Sequence, residues 1–429
     1  PARRPPGRDA HGNPLIAPML RRAPARLVRC CLLAACAVLL AGCDRLFGDE
    51  DYFPLPETMG GWRANLSPEF VRSRGLDPAA LEDLGRFSQS IKNSAWPGYD
   101  YHHHTATIVI KDGWIVGEWY SLPESRFFQQ YLASNGKSFA YMLFGVLVKE
   151  SRERRARVQF TEQSPVYDPT YLQGGFPLSD PRKAGITFEQ IFRHTAGFLP
   201  EEDKDGDKLE EGRNFWSDYS LWVTGRDPKW PITGRLLFPP GHPEEYAGSE
   251  TWGDHRGAYS IIGFAHLGLV FHYAFGHSPS AVLWDRILAP IGFSGVSYHH
   301  PPPGTHRWVT HGGLCMTPRD YARFAYLILR KGRWQDQQIV DPEWIERTRT
   351  APWYQNMRSN VDGYFGRELP ADMVRIFGSG GNFAFILPSH DLIVVRCART
   401  DNQVAELLEA KFLKRLVKVL QPVATTAPR

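Results

Sequence analysis

The stretch Ser134-Asn-Gly-Lys-Ser-Phe-Ala-Tyr-Met-Leu-Phe-Gly-Val-Leu147 joins a Ser-x-x-Lys tetrapeptide to an apolar run with helical spacing. Residues three apart share one face of a helix, so the Lys137 amine is expected to reach the Ser134 hydroxyl. A serine at a helix start also lies near unpaired backbone N–H groups, of which its own could bind an oxyanion. Burial would lower the pKa of the lysine and let it accept a proton. Taken alone, the tetrapeptide is also typical of an N-capping serine followed by a surface lysine.

Outward from this stretch, two hairpins are predicted near the two ends of the chain. Strands over 105–111 and 114–121 flank Asp112-Gly113, a dipeptide that favours a two-residue hairpin turn. Strands over 382–387 and 392–398 flank Pro388-Ser-His-Asp391. Helical spacing of apolar residues dominates elsewhere. The predicted helices cover 78–92, 134–149, 187–194, 257–275, 279–288, 317–331, 341–349 and about 402–420.

This order predicts an α+β fold, in which one antiparallel sheet is built from both chain ends and flanked by helices. A mainly helical lobe would be inserted between the two sets of strands, with the active cleft between sheet and lobe. The predicted organisation is residues 1–42 as upstream residues and signal peptide, 43–75 as a tether, 76–422 as one domain with the lobe at about 150–330, and 423–429 as a tail.

The charge of the chain argues against a nucleic-acid partner. The 429 residues include 50 Lys and Arg against 46 Asp and Glu, but seven of the arginines lie within residues 1–42, together with one acidic residue. The remainder holds 43 basic and 45 acidic residues and is close to neutral. The 42% hydrophobic content of the whole chain, with 13 tryptophans, predicts a large core and excludes general disorder of the body.

The N-terminal region predicts export and a lipid anchor. Basic residues precede the apolar run Cys30–Gly42, which is shorter than the roughly 20 residues that a membrane span needs. The run ends in Leu40-Ala-Gly-Cys43, which resembles the lipobox of bacterial lipoproteins and implies lipid attachment at Cys43. An ordinary signal peptide with a chance cysteine is the alternative. Asp44 would favour the periplasmic side of the inner membrane over the outer membrane of a bacterial cell envelope.

No metal or other cofactor is predicted. Beyond Cys43, only Cys315 and Cys397 remain, too few for a disulfide framework, and whether they form one bridge is left open. Adjacent side chains of the triplet His102–His104 would point in different directions, and no fourth ligand is evident in the sequence. The acidic run Glu201–Glu211 places Gly212 where a calcium loop needs its last glutamate.

Further blocks follow Ser-x-x-Lys in an order that resembles the serine β-lactamase-like and penicillin-binding-protein-like superfamily. This superfamily includes class C β-lactamases, DD-peptidases, esterases and 6-aminohexanoate-dimer hydrolases, and the resemblance runs from about residue 60 to 420. The matching blocks are Gly185–Phe198 with His194-Thr-Ala-Gly, Pro239–Gly248 with Tyr246, Gly257–Gly263, His311–Phe324, and Phe377–Asn382 with the hairpin to Val395.

The resemblance implies a role for several residues. Ser134 would be the nucleophile that forms an acyl-enzyme, Lys137 would assist its deprotonation, and Tyr246 would pass a proton to the leaving group. The backbone N–H groups of Ser134 and Ser379 would form the oxyanion hole. Gly378 and Gly380 would line the substrate site beside Ser379. His194, by contrast, is expected to be structural.

Two departures from the family pattern bear on the substrate. Gly248 replaces the asparagine of Tyr-Ser-Asn, which contacts an acyl-amide substrate, and Ile376 replaces the cation that grips a β-lactam or peptide carboxylate. Arg375 is adjacent, but on a strand it would point to the opposite face. We therefore expect a membrane-tethered serine hydrolase for small ester, amide or peptide-like substrates. A β-lactamase or DD-peptidase is one alternative, and a catalytically silent relative that binds peptidoglycan fragments or a protein is another.

Overall fold

A computed structural model describes residues 52–93, 103–171, 176–198, 236, 240, 261–298, 308, 310–350, 357–400 and 402–421. Of Ile262 and residues 402–407 only the backbone is described. Cys43, Tyr246, Gly248, His102 and the run Glu201–Glu211 lie outside the described residues.

The described strands and helices follow the predicted order. The strands are β1 (Ala106–Lys111), β2 (Trp114–Tyr120), β3 (Gln130–Tyr131), β4 (Ser297–Tyr298), β5 (Leu314–Met316), β6 (Arg333–Trp334), β7 (Gln337–Gln338), β8 (Met357–Ser359), β9 (Val374–Gly378), β10 (Asn382–Leu387) and β11 (Leu392–Cys397). The helices are α1 (Pro68–Ser73), α2 (Pro78–Ser90), α3 (Gly136–Arg152), α4 (Phe188–Phe192), α5 (Ile261–Phe275), α6 (Pro279–Leu283), α7 (Pro318–Leu329), α8 (Pro342–Thr350) and α9 (Asn402–Leu420).

The main sheet has six antiparallel strands in the order β2-β1-β11-β10-β9-β8. Its centre joins the two chain ends, because β1 pairs with β11 over their whole length, from Ala106 opposite Cys397 to Lys111 opposite Leu392. Asp112 and Gly113 both have positive φ, as a tight primed hairpin turn requires. The predicted α+β architecture with a sheet from both ends is confirmed.

Helices cover both faces of this sheet, so every residue of β10 and β11 is buried. On one face α2 and α9 pack together, and Leu84, Phe385 and Phe412 belong to the same hydrophobic core. On the other face α7 packs against β1, β10 and β11. The lobe predicted at about 150–330 therefore ends before α7, which belongs to the layer against the sheet.

The prediction of a tether over residues 43–75 is wrong for the part from Phe53 onward. From Phe53 onward the chain packs on the body: Phe53 and Trp62 are buried, and Ala64 forms a bridge with Ile115 on the edge strand β2. The guanidinium of Arg323, fully buried on α7, donates to the Pro54 carbonyl at 3.0 Å. A few separate anchors hold this segment, and such anchors produce no periodic pattern in the sequence.

Two further features concern the cysteines and the helices. Cys315 on β5 and Cys397 on β11 are buried free thiols. Across the described ranges, every helix is too short or too polar to cross a lipid bilayer.

Candidate active site

Ser134 lies in a tight turn immediately before α3. The residues Ala133–Asn135 form one turn of 3₁₀-helix, and Ala133 has φ 50°, a strained value for a residue with a Cβ. Two hydrogen bonds anchor the turn, from the Leu132 N–H to the Leu314 carbonyl at 2.9 Å and from the Asn135 N–H to the Leu132 carbonyl at 3.1 Å. Between Leu132 and Leu147, Ser134 is the one residue that is not buried. The turn therefore presents this hydroxyl at the surface of a packed element.

Lys137 brings a fully buried amine to the Ser134 hydroxyl. Its Nζ donates to Ser134 Oγ at 3.1 Å and to the backbone carbonyl of His311 at 3.0 Å. The side chain has no exposed surface, and its Nζ lies 6.0 Å from the centre of the Phe264 ring. The i to i+3 spacing predicted this meeting, and the structure brings the two residues together. The surface-lysine alternative is wrong for Lys137.

The segment that carries His311 packs directly on the start of α3. A Cβ placed on Gly136 would lie 2.7 Å from the Gly312 Cα, a contact that real side chains do not make. A Cβ on Gly312 would lie 3.3 Å from the Ala133 carbonyl oxygen. Glycines on both sides thus allow the two backbones to approach each other. This approach places the His311 carbonyl within reach of Lys137.

The end of β9 contacts the same turn from another side. A Cβ on Gly378 would lie 2.3 Å from the Leu132 carbonyl oxygen and 3.1 Å from the Asn135 backbone nitrogen. Ser379 follows and is partly exposed, whereas its neighbours Gly378 and Gly380 are buried. The structure therefore places Ser379 beside the Ser134 turn, as two oxyanion donors would require.

The loop after β9 is fixed by hydrogen bonds. The Asn382 amide donates to the Ser379 carbonyl at 2.7 Å and accepts from the Ala398 N–H at 2.9 Å. The Gly380 carbonyl accepts from the Thr400 N–H at 2.8 Å, and Gly380 has φ 85°. These bonds fix the carbonyl groups of Ser379 and Gly380 and hold the loop beside Ala398 and Thr400.

An apolar residue, Ile376, occupies the position at which the family pattern has a cation. Ile376 is buried in β9 and pairs with Ala384 and Met357 on the neighbouring strands. Arg375 points to the opposite face, as predicted, where its guanidinium bonds both carboxylate oxygens of Glu409 on α9 at 2.8 Å. Its charge is therefore held away from the cleft.

Two histidines considered in the sequence analysis, His104 and His194, make contacts that are typical of a structural role. His104 is stacked on Phe128, its Nδ1 lies 2.9 Å from Ser125 Oγ, and burial lowers its pKa. His194 is buried with its ring 5.4 Å from that of Phe264. In the described part of the chain, no cluster of three or more His, Cys, Asp or Glu side chains could hold a metal ion.

Sequence reasoning missed two contributors to the site, the His311 carbonyl and the Asn135 side chain. A backbone carbonyl has no residue signature, and the only signal for this one is the pair Gly312-Gly313 that follows it. The Asn135 side chain is fully buried against Gly378. Tyr246, the third predicted catalytic residue, lies outside the described residues, and its role stays a prediction.

The fold is similar to solved structures of several hydrolases and of a penicillin-binding-protein homologue. A Bacillus anthracis protein assigned as a 6-aminohexanoate-dimer hydrolase superposes with a TM-score of 0.59 at 16% identity, over 87% of this chain and 91% of that one. EstCE1, a hydrolase with promiscuous acyltransferase activity, gives 0.55 at 13% identity, over 83% and 100%. A penicillin-binding-protein homologue from Caulobacter crescentus gives 0.53 at 15%, over 79% and 96%. At these identities the likeness shows the fold alone.

Sequence comparison carries the family assignment. No sequence match was found among curated proteins. The family model described as Beta-lactamase matches residues 102–417, about three quarters of the chain, from the edge of β1 to the last helix. This range contains Ser134, Lys137 and Ser379, together with the sheet that positions them. The chain therefore belongs to the β-lactamase family, a family of serine hydrolases.

Proposed function

We propose that the protein hydrolyses ester or amide bonds through an acyl-enzyme on Ser134. The observation that carries this proposal is the 3.1 Å contact between a fully buried Lys137 amine and the partly exposed Ser134 hydroxyl. Burying a lysine amine is costly, because the amine loses its hydration. A functional role of Lys137 would explain why a lysine is kept at this buried position. An amine aimed at a serine hydroxyl is the arrangement that nucleophilic catalysis uses.

In the acylation step, the Ser134 oxygen attacks the substrate carbonyl carbon and loses its proton to the pair Lys137 and Tyr246. The carbonyl oxygen becomes an oxyanion, which the N–H groups of Ser134 and Ser379 would bind. Collapse of this intermediate breaks the bond to the alcohol or amine. The leaving group takes the proton through the same pair, and the acyl group stays on Ser134.

In the deacylation step, water attacks the acyl carbon and transfers its proton in the same way. The acid product then leaves, and Ser134 regains its hydrogen. Water is the co-reactant that the cycle consumes. The Lys137 amine therefore serves twice, once toward Ser134 and once toward the attacking water.

Esters and simple amides fit this site better than β-lactams. The buried Ile376 offers no charge to a substrate carboxylate, and the Arg375 guanidinium is engaged with Glu409 on the other face. The fold shared with EstCE1, a hydrolase with promiscuous acyltransferase activity, and with a protein assigned as a 6-aminohexanoate-dimer hydrolase is compatible with this proposal. Cephalosporin turnover should therefore be poor beside that of short p-nitrophenyl esters, and equal catalytic efficiency for both would contradict this substrate assignment.

The decisive experiment compares Ser134→Ala with the wild type and with Ser90→Ala, a change at an exposed serine on α2. Ester hydrolysis and labelling by a fluorophosphonate should disappear in the first variant and persist in the second. Full activity in Ser134→Ala would eliminate the nucleophile. A wild-type protein that is folded but neither labelled nor active would instead support the silent binding relative.

We also propose that the chain is anchored in the bacterial envelope through a lipid on Cys43. The order of basic residues, apolar run and Leu-Ala-Gly-Cys supports this proposal. Cys43→Ser should release the protein from the membrane fraction of an expressing cell. Membrane association that is unchanged in this variant would contradict the anchor.

A further inference from the structure

Trp308 is buried behind the segment that contacts the catalytic turn. It has no exposed surface, and its indole N–H donates to the Gly312 carbonyl at 2.9 Å. Its own backbone N–H donates to Ser280 Oγ at 2.7 Å, at the start of α6. The Trp308 backbone is therefore bonded to α6, while its indole N–H is bonded to Gly312.

The segment that Trp308 holds has little stiffness of its own. Gly312 and Gly313 follow each other, and Gly313 has φ 77°, so this backbone has wide conformational freedom. External bonds must fix it. Besides the indole, the Thr310 hydroxyl donates to the Phe264 carbonyl at 2.8 Å, and the Leu314 carbonyl accepts from the Leu132 N–H at 2.9 Å.

The segment that these bonds fix contacts the amine of Lys137. The peptide that precedes Gly312 supplies the His311 carbonyl, which accepts from Lys137 Nζ at 3.0 Å. Gly312 itself rests against Gly136 at the start of α3. A rotation of the Gly312 peptide would therefore move the His311 carbonyl relative to Lys137, and with it the direction of the amine.

We propose that Trp308 is a positioning residue: its indole N–H fixes the Gly312 carbonyl, and this keeps the His311 carbonyl on Lys137 so that the amine stays aimed at Ser134. This inference rests on the proposed function of Lys137. It gives a buried tryptophan an indirect part in the chemistry at Ser134.

The chain offers a matched control. Trp344 on α8 is also buried, and its indole N–H donates to a backbone carbonyl, that of Tyr141 on α3, at 3.1 Å. Trp308→Phe and Trp344→Phe remove the same atoms from buried sites and break the same kind of bond. Only the first bond involves the segment that carries the His311 carbonyl.

The test measures the rate of fluorophosphonate labelling of Ser134 and the kcat and KM for a p-nitrophenyl ester. Trp308→Phe should label about tenfold more slowly or worse, and lose kcat with KM unchanged, because small misplacements of catalytic groups are costly. Trp344→Phe should stay within a factor of three of the wild type, although both variants unfold at lower temperature. Equal rates in the two variants would overturn the inference.

Two further measurements keep the inference testable. If Trp308→Phe does not fold, Thr310→Val removes another anchor of the segment at nearly constant volume and should slow labelling in the same way. A crystal structure of either variant should show the His311 carbonyl displaced from Lys137 Nζ, and an unchanged 3.0 Å contact would overturn the inference. Because this structural readout does not depend on turnover, an inactive wild type would contradict the proposed function alone.

Discussion

Gly378 lies so close to Leu132 that a Cβ on the glycine would stand 2.3 Å from the leucine carbonyl oxygen. This contact joins the end of strand β9 to the turn that carries the nucleophile. The carbonyl that would collide also accepts the Asn135 N–H of that turn at 3.1 Å. The contact leaves no room for a side chain at Gly378. It therefore sets the distance between the two predicted oxyanion donors, which are the N–H groups of Ser134 and Ser379.

Gly378→Ala should therefore reduce kcat by about a hundredfold, because the strand must move away from the turn and the oxyanion donors separate. Overpacking against backbone should also lower the free energy of unfolding by about 1–3 kcal/mol. Gly185→Ala is the control, since a Cβ there meets no atom within 4 Å and its φ is ordinary. Ester kinetics and denaturant unfolding measure both effects, and a fully active Gly378→Ala would contradict the assigned oxyanion site.

Lys137→Met should keep the fold and remove nearly all of the acylation. Methionine fills a similar volume and carries no charge, so the buried site loses a costly polar group, while Ser134 loses its proton acceptor. We expect fluorophosphonate labelling to slow by about a thousandfold, which is in the middle of the range for a general base. Lys149→Met, on the same helix but bonded to the Gln338 carbonyl, should label at the wild-type rate. Rapid labelling of Lys137→Met would show that another group activates the serine.

The sequence was most informative where a local pattern has one physical solution. Asp112-Gly113 predicts a hairpin because both residues tolerate positive φ, and the structure has positive φ at both. The Ser134 to Lys137 contact was predictable because both residues belong to one helical turn. In both cases the interacting residues are neighbours in the chain, so no knowledge of tertiary packing was needed.

Contacts between distant segments could not be derived from the residues in the same way. The partner of Lys137 is a carbonyl 174 positions away, and any residue type provides a carbonyl. The packing of residues 53–64 depends on single anchors such as Phe53 and Trp62, and on the Arg323 bond to the Pro54 carbonyl. Isolated anchors lack the periodicity that makes a helix or strand visible in a sequence.

Asn135 gives a prediction about stability. Its side chain is fully buried, and among the described residues neither of its amide atoms has a hydrogen-bond partner. A buried polar group without a partner costs about 1–3 kcal/mol. Asn135→Leu, which has a similar shape, should therefore raise the free energy of unfolding by about 1 kcal/mol in denaturant titrations.

Asn382 is the matched control for this change, because it is equally buried but bonded to the Ser379 carbonyl and the Ala398 N–H. Asn382→Leu would leave both backbone groups unpaired and should lower the free energy of unfolding by about 2 kcal/mol. If both leucine variants are destabilised alike, Asn135 has a partner in the folded protein, and the predicted cost does not exist.

His266 should make the protein less stable in acid. Burial is the main cause that lowers the pKa of this imidazole to about 4, the positive charge of Lys183 adds to it, and the Val166 carbonyl opposes it. The unfolded chain takes up a proton near pH 6.5, and the folded chain does so only near pH 4. The unfolded state thus binds more protons between these values, so stability falls as the pH decreases through this window.

Between pH 7 and pH 5 the loss assigned to His266 is about 2 kcal/mol of unfolding free energy. His266→Gln removes the titrating ring while keeping an N–H donor for Val166, so its stability should change less between the two pH values. His272→Gln is the control, because it makes the same replacement at an exposed histidine on the same helix. Denaturant titrations at pH 7 and pH 5 measure the difference, and an acid loss that is equal in His266→Gln and His272→Gln would show that the buried imidazole does not cause it.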